Sequence, residues 1–205
     1  MIAYFDTSAL VPLIIDEPIS DAATRLWDAA DRIVNSRPAF AEARAALARA
    51  RRMGRLGRDS CQTAVRRLET LVDEIDVVEV TEPLVRRAGV LSEQSELRGY
   101  DALHLASAEL VRDHDLVMVT GDRDLLSAAA DLGLAVADLH GWSDAAGPDA
   151  LARPIGVVGP RPMACGGIRL NRQVVTRSPW SPWIQAALYA SIVSRVPISR
   201  GVDPG

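Results

Sequence analysis

The chain has 205 residues, 48% of them hydrophobic but only 4% aromatic, and a formal net charge of −4. That balance suits one compact domain plus an appendage, with a core built from Ala, Leu and Val. All 23 of its cationic side chains are arginines, which excludes a P-loop, a Schiff-base enzyme and a receiver-type acid pocket, since each requires a lysine.

IAYF (2–5) is a short apolar run ending at Asp6 and reads as a buried strand. A helix over 8–15 follows, broken near Pro18. A second, over 19–32, repeats apolar residues at helical spacing through Ala22, Ala23, Leu26, Trp27 and Ala30. IVNS (33–36) is the next strand. Residues 38–54 form a strong helix, with Ser36 as its cap, Pro38 tolerated in its first turn and Gly54 at its end. An amphipathic helix over 58–74, a strand at 77–80 and helices at 82–97 and 100–114 come next. The buried strand LVMVT (116–120), a helix at 122–132 and a last strand at 134–137 complete the pattern. This alternation predicts an α/β fold whose mainly parallel sheet is covered by helices on both faces.

The character changes after His140. Residues 1–139 carry 16 arginines against 24 acids, whereas 140–205 carry 7 against 3. Repeated Gly and Pro in GWSDAAGPD, VVGPRPMACGG and SPWSP mark 140–205 as a Pro/Gly-rich C-terminal extension, expected to be irregular. Within it, 183–196 has the pattern of an amphipathic helix, a minority case for partner docking. Trp180 and Trp183 are read as local collapse rather than as interaction anchors. Cys61 and Cys165 share no metal or redox spacing, and the start MIAYFD has no basic, apolar leader. No run reaches the roughly 18 apolar residues a membrane span requires. A reducing, cytoplasmic setting without membrane contact is the expectation.

Four acids stand where such a fold gathers its side chains. Asp6 ends the first strand, and Asp122 follows LVMVT-Gly. In open parallel sheets, ligands bind outside the carboxyl ends of the strands. Asp101 falls in the first turn of the helix opened by Gly99-Tyr100, and Glu42 in the first turns of the helix after IVNS. Asp124 is a fifth candidate. Each acid has a plainer role available, as a helix cap or as favourable charge at a helix start. Yet two carboxylates about 4 Å apart repel by roughly 4 kcal/mol at an effective dielectric near 20. A gathering of four therefore demands protonation, cations or metal, and hard divalent ions such as Mg²⁺ or Mn²⁺ suit oxygen ligands.

The segments YFDTSAL (4–10), the Glu42 helix, GYDALHLASA (99–108) and VTGDRDLL (119–126), in this order, resemble a PIN-domain ribonuclease of the VapC toxin type. The resemblance covers about residues 1–139. It implies a PIN-like α/β/α sandwich and a Mg²⁺- or Mn²⁺-dependent endoribonuclease. It makes Asp6, Glu42, Asp101 and Asp122 the catalytic, metal-binding carboxylates, with Asp124 assisting and Thr7, Ser8 and Thr120 as polar neighbours that orient them. In-line hydrolysis would leave a 5′-phosphate and a 3′-hydroxyl. It further implies an RNA substrate, a small cognate antitoxin whose arginine enters the acidic groove, and a homodimer.

Of the remaining residues, Arg44 and Arg49 head a basic stretch over 44–67 and are candidates for RNA phosphate contact. His104, three positions after Asp101, is read as a packed histidine rather than a ligand, and His114 and His140 as surface or loop residues. Two other enzyme readings compete. A structure-specific DNA nuclease can use the same acids, but this core is too short for the usual DNA-binding insertions. A haloacid-dehalogenase-like phosphatase requires a second Asp where Ser8 stands, and a lysine. An inactive PIN-like module that binds RNA or protein is the non-enzymatic alternative.

Overall fold

The computed structural model describes residues 1–141 and the backbone of 175–177. Strands β1 (Ile2–Phe5), β2 (Arg32–Ser36), β3 (Asp76–Val78), β4 (Leu116–Thr120) and β5 (Ala135–Asp138) alternate with seven helices. These are α1 (Thr7–Leu10), α2 (Ser20–Asp28), α3 (Ala39–Arg52), α4 (Arg58–Val72), α5 (Glu82–Ser95), α6 (Gly99–Leu110) and α7 (Arg123–Asp131). The five strands are parallel, and the sheet order is β5-β4-β1-β2-β3-β6, where β6 is Val175–Arg177.

The period-two pleat sorts the strand residues into two cores. Ala3, Phe5, Ile33, Val77 and Val119 turn to one face, where they join Leu10, Leu26, Leu47 and Leu68 of α1–α4. Tyr4, Val34, Val78 and Met118 turn to the other, where they meet Leu84, Leu91, Leu105 and Leu125 of α5–α7. The expected α/β sandwich with a mainly parallel sheet is thus the observed architecture. Among the described residues no helix is long and apolar enough to cross a membrane.

Several local expectations are corrected. The helix expected over 8–15 begins at Thr7 and tightens after Leu10 into a 3-10 turn, Val11–Leu13. Pro12, which has no N–H to offer, explains the change. The helix expected over 19–32 ends at Asp28, and the strand expected at 77–80 is displaced to Asp76–Val78. The helix expected to reach 114 stops at Leu110, and Asp113 accepts the His114 N–H as the chain turns into β4. Ser36 does not cap α3. It lies at the end of β2, and Pro38 occupies the cap position without a side-chain bond. Gly54 ends α3 as expected: at φ +74° it lets Arg55 N–H bond Ala50 and its own N–H bond Arg51.

In the C-terminal extension, one segment departs from the irregular structure expected. β6 pairs antiparallel with β3, Val77 opposite Thr176, and covers that sheet edge. Three residues give too short a pattern to register as a strand in sequence. The expected helix at 183–196, Trp180, Trp183 and Cys165 lie outside the described residues.

Candidate active site

The chain runs outward from β1 through β2 to β3, then returns to the other side of β1 for β4 and β5. Adjacent strands β1 and β4 therefore send their following segments in opposite directions, which opens a crevice at their carboxyl ends. A cleft of about 520 Å³ lies there, and Asp6, Glu42, Asp101 and Asp122 all line it. Thr7, Ser8, Arg98, His104 and His140 line it as well.

Asp6 is held by the turn it starts. As N-cap of α1 it accepts the Ala9 N–H at 2.9 Å, and the Ser8 hydroxyl reaches both its oxygens, at 2.8 and 2.9 Å. Thr120, at the end of β4, donates to Asp6 Oδ2 at 3.0 Å and so ties the two strand ends together. Burial pushes the Asp6 carboxyl above its ordinary range, against the opposing effects of His104, Ser8, Ala9 and Thr120. Ser8 also accepts the Gly121 N–H at 2.8 Å, so the three hydroxyl-bearing or acidic side chains Asp6, Ser8 and Thr120 form one frame.

Glu42 enters from the first turn of α3. Its Oε2 accepts the Thr7 hydroxyl and the His104 ring nitrogen Nε2, each at 2.8 Å. Burial pushes Glu42 upward, but His104, Thr7 and Arg98 together outweigh it and hold the carboxyl below its ordinary range. The remaining pair differs in kind. Asp101 Oδ2 accepts Arg98 Nε at 2.7 Å, and Asp122 Oδ2 accepts Arg98 Nη2 at 3.2 Å. Asp122 Oδ1 meanwhile caps α7 through the Asp124 and Leu125 N–H groups.

The helix-cap role and the cleft role are therefore not alternatives for Asp6 and Asp122; each carboxylate has both. Thr7, Ser8 and Thr120 stand against the acids as expected. Asp124 is exposed and does not line the cleft, although its charge acts on Arg98. Arg44 and Arg49 do not line it either. Arg44 turns to α4, pairs with Glu69 at 3.3 Å and stands over the Phe40 ring, while Arg49 is exposed two turns along the helix from Glu42.

Sequence reasoning missed Arg98, which stands three residues before Asp101. It had assigned the cations to the stretch at 44–67, yet this one arginine supplies the charge between two of the acids. His104 is buried, as expected of a packed residue, but it also bonds Glu42. His140 is an exposed turn residue, as expected, and also borders the cleft.

The donor set suits a hard divalent cation. Four carboxylates face one cleft, and a guanidinium already provides positive charge to Asp101 and Asp122. Among the described residues no three His, Cys, Asp or Glu are close enough to hold an ion as they stand.

A model of the PIN domain matches residues 3–131, and the chain belongs to the PIN-domain family. Within it, the chain is similar to mycobacterial VapC ribonucleases. Ribonuclease VapC49 of Mycobacterium tuberculosis strain H37Rv is 41% identical over 136 residues, which are 66% of this chain and 94% of that protein. Ribonuclease VapC47 of Mycobacterium tuberculosis strain CDC 1551 is 32% identical over 134 residues, 65% of this chain and 94% of that protein. The solved structure of FitAcB from Neisseria gonorrhoeae shares the fold with a TM-score of 0.51 at 19% identity, covering 69% of this chain and all of that one.

Proposed function

We propose that the protein is a divalent-metal-dependent endoribonuclease and the toxin of a toxin–antitoxin pair. The convergence of Asp6, Glu42, Asp101 and Asp122 on one cleft carries this reading, in a chain 41% identical to a named ribonuclease. These four carboxylates would hold Mg²⁺ or Mn²⁺, with exposed Asp124 adding negative charge at the rim. When bound, such an ion supplies the positive charge that activates water and stabilises the pentavalent phosphate transition state.

The protein's own groups do the rest. Ser8 and Thr120 fix Asp6, and Thr7 fixes Glu42, so that both acids are oriented before substrate arrives. Arg98, freed from Asp101 and Asp122, is free to meet a phosphate oxygen of the RNA. Arg49, exposed on α3 outside the cleft, would add a separate positive charge for RNA phosphates. Water attacks phosphorus in line, the bond to the 3′-oxygen breaks, and the products carry a 5′-phosphate and a 3′-hydroxyl.

The cognate antitoxin would be a small protein that presents an arginine to the same cleft. The fork of Arg98 across Asp101 and Asp122 exemplifies the contact such a side chain would make. A homodimer in the cytoplasm is the working assembly under this reading. The domain proper is 1–139, with 140–205 an extension. End-labelled RNA incubated with Mg²⁺, Mn²⁺ or chelator tests the activity. Cleavage with either ion, none with chelator, and 5′-phosphate ends are expected. Equal cleavage in chelator, or 2′,3′-cyclic phosphate ends, would contradict it.

A further inference from the structure

A polar chain runs from the cleft into the core packed by α5–α7. His104 is 2% exposed on α6, a helix otherwise packed through Ala102, Leu105, Ala106 and Ala108. Its ring bonds in both directions. Nε2 lies 2.8 Å from Glu42 Oε2, and Nδ1 lies 3.0 Å from the Tyr4 hydroxyl and 3.3 Å from that of Ser36. Tyr4 is fully buried, and its ring meets the imidazole edge to face at 6.0 Å.

The partners determine where the proton sits. An ionised carboxylate only accepts, so Nε2 must carry hydrogen. Burial pushes the Tyr4 phenol well above its ordinary value, so Tyr4 keeps its proton and can donate it to Nδ1. Burying an imidazole carries a desolvation cost that a leucine at 104 would avoid. The alignment is therefore costly as packing alone and intelligible as support for Glu42.

We propose that His104 is a positioning residue for Glu42: its Nε2–H, with Thr7, anchors Oε2 and leaves Oε1 for the cleft, while Tyr4 and Ser36 lock the ring from behind. This rests on the metal-dependent reading of the site. Partners that orient a metal-binding carboxylate typically contribute ten- to a hundredfold in metal affinity or activity.

The side-chain amide of glutamine can place a donor near the position of Nε2, and that of asparagine near Nδ1. His104→Gln and His104→Asn therefore bury similar amides but differ in the contact they keep. Three readouts apply to the full chain: Mn²⁺ affinity by calorimetry without RNA, kcat and KM on an RNA oligonucleotide, and melting temperature. His104→Asn is expected to weaken Mn²⁺ about ten- to a hundredfold and to lower kcat with little change in KM. His104→Gln is expected to recover most of both, at a similar melting temperature. Nitrogen-15 spectra of the wild type should show the Nε2–H tautomer.

Wild-type Mn²⁺ affinity and kcat in His104→Asn, equal losses in both variants, or an Nδ1–H tautomer would overturn the proposal. A wild type that neither binds Mn²⁺ nor cuts RNA would instead overturn the metal reading, and the proposal with it.

Discussion

The two sides of the cleft are held by different chemistry. Asp6 and Glu42 are tied by donors set within the fold: Ser8 and Thr120 on one, Thr7 and His104 on the other. Asp101 and Asp122 instead share one arginine whose side chain is 79% exposed. Exposure of the acids does not explain this, since the Glu42, Asp101 and Asp122 side chains are 24%, 19% and 26% exposed. What differs is the ease of release. Hydroxyl frames within the fold keep their carboxylates aimed, whereas an exposed ion pair is worth only about 0.2–1 kcal/mol and yields readily. Under the proposed metal-dependent reading, one side orients its carboxylates, and the other would exchange Arg98 for the metal.

The largest effect should come from the oriented side. Glu42→Gln removes a charged ligand while keeping much of the local shape. Loss of a supporting partner already costs ten- to a hundredfold, so cleavage should fall by on the order of 10²-fold or more. Single-turnover assays at saturating Mn²⁺ check this, and a loss below tenfold would remove Glu42 from the metal set.

A stability effect with a definite sign follows from Asp6. Its folded pKa is raised above the ordinary 3.8, so the native state binds that proton more tightly than the unfolded chain does. Its contribution to stability is therefore fully favourable below about 3.8 and declines as pH rises through the folded value. Asp6→Asn is neutral throughout. Without metal, it should melt higher than the wild type at neutral pH, and the gap should close in acid. Thermal melts at several pH values test this, and a variant less stable at every pH would contradict it.

The exchange side should respond in the opposite sense to the oriented side. Arg98→Gln removes the resident cation, so Mn²⁺ should bind more tightly, by about 1.4- to 5-fold for a pair worth 0.2–1 kcal/mol. Weaker binding would show that Arg98 supports the site rather than competes for it. Smallest of all is Arg44→Gln. With Arg44 turned to Glu69, cleavage should stay unchanged and stability should fall by no more than about 1 kcal/mol. A raised KM for RNA would return Arg44 to the substrate surface.

Much of this was legible in the sequence because it depended on local pattern. The apolar runs ending at Asp6 and near Asp122 marked strand ends, and the helices carrying Glu42 and Asp101 had clear periodicity. The strand order then brought the four together. What sequence concealed were pairings across distance. Arg98 reaches Asp122 over 24 residues, and His104 reaches Glu42 over 62 and Tyr4 over 100. A tyrosine inside a buried strand was the available clue, since its hydroxyl must find a partner within the core. The edge strand β6 left no clue beyond a brief β-branched run.

The central claim is that carboxylates from both sides of the cleft together hold divalent metal. Calorimetric titration of Mn²⁺ into the metal-free wild type, Asp6→Asn and Asp101→Asn, with RNA and DNA cleavage followed in parallel, tests it most directly. Binding and RNA cleavage by the wild type, both lost in each variant, with DNA left uncut, is the predicted result. Wild-type Mn²⁺ affinity in either variant, or cleavage of RNA that persists without bound metal, would contradict it.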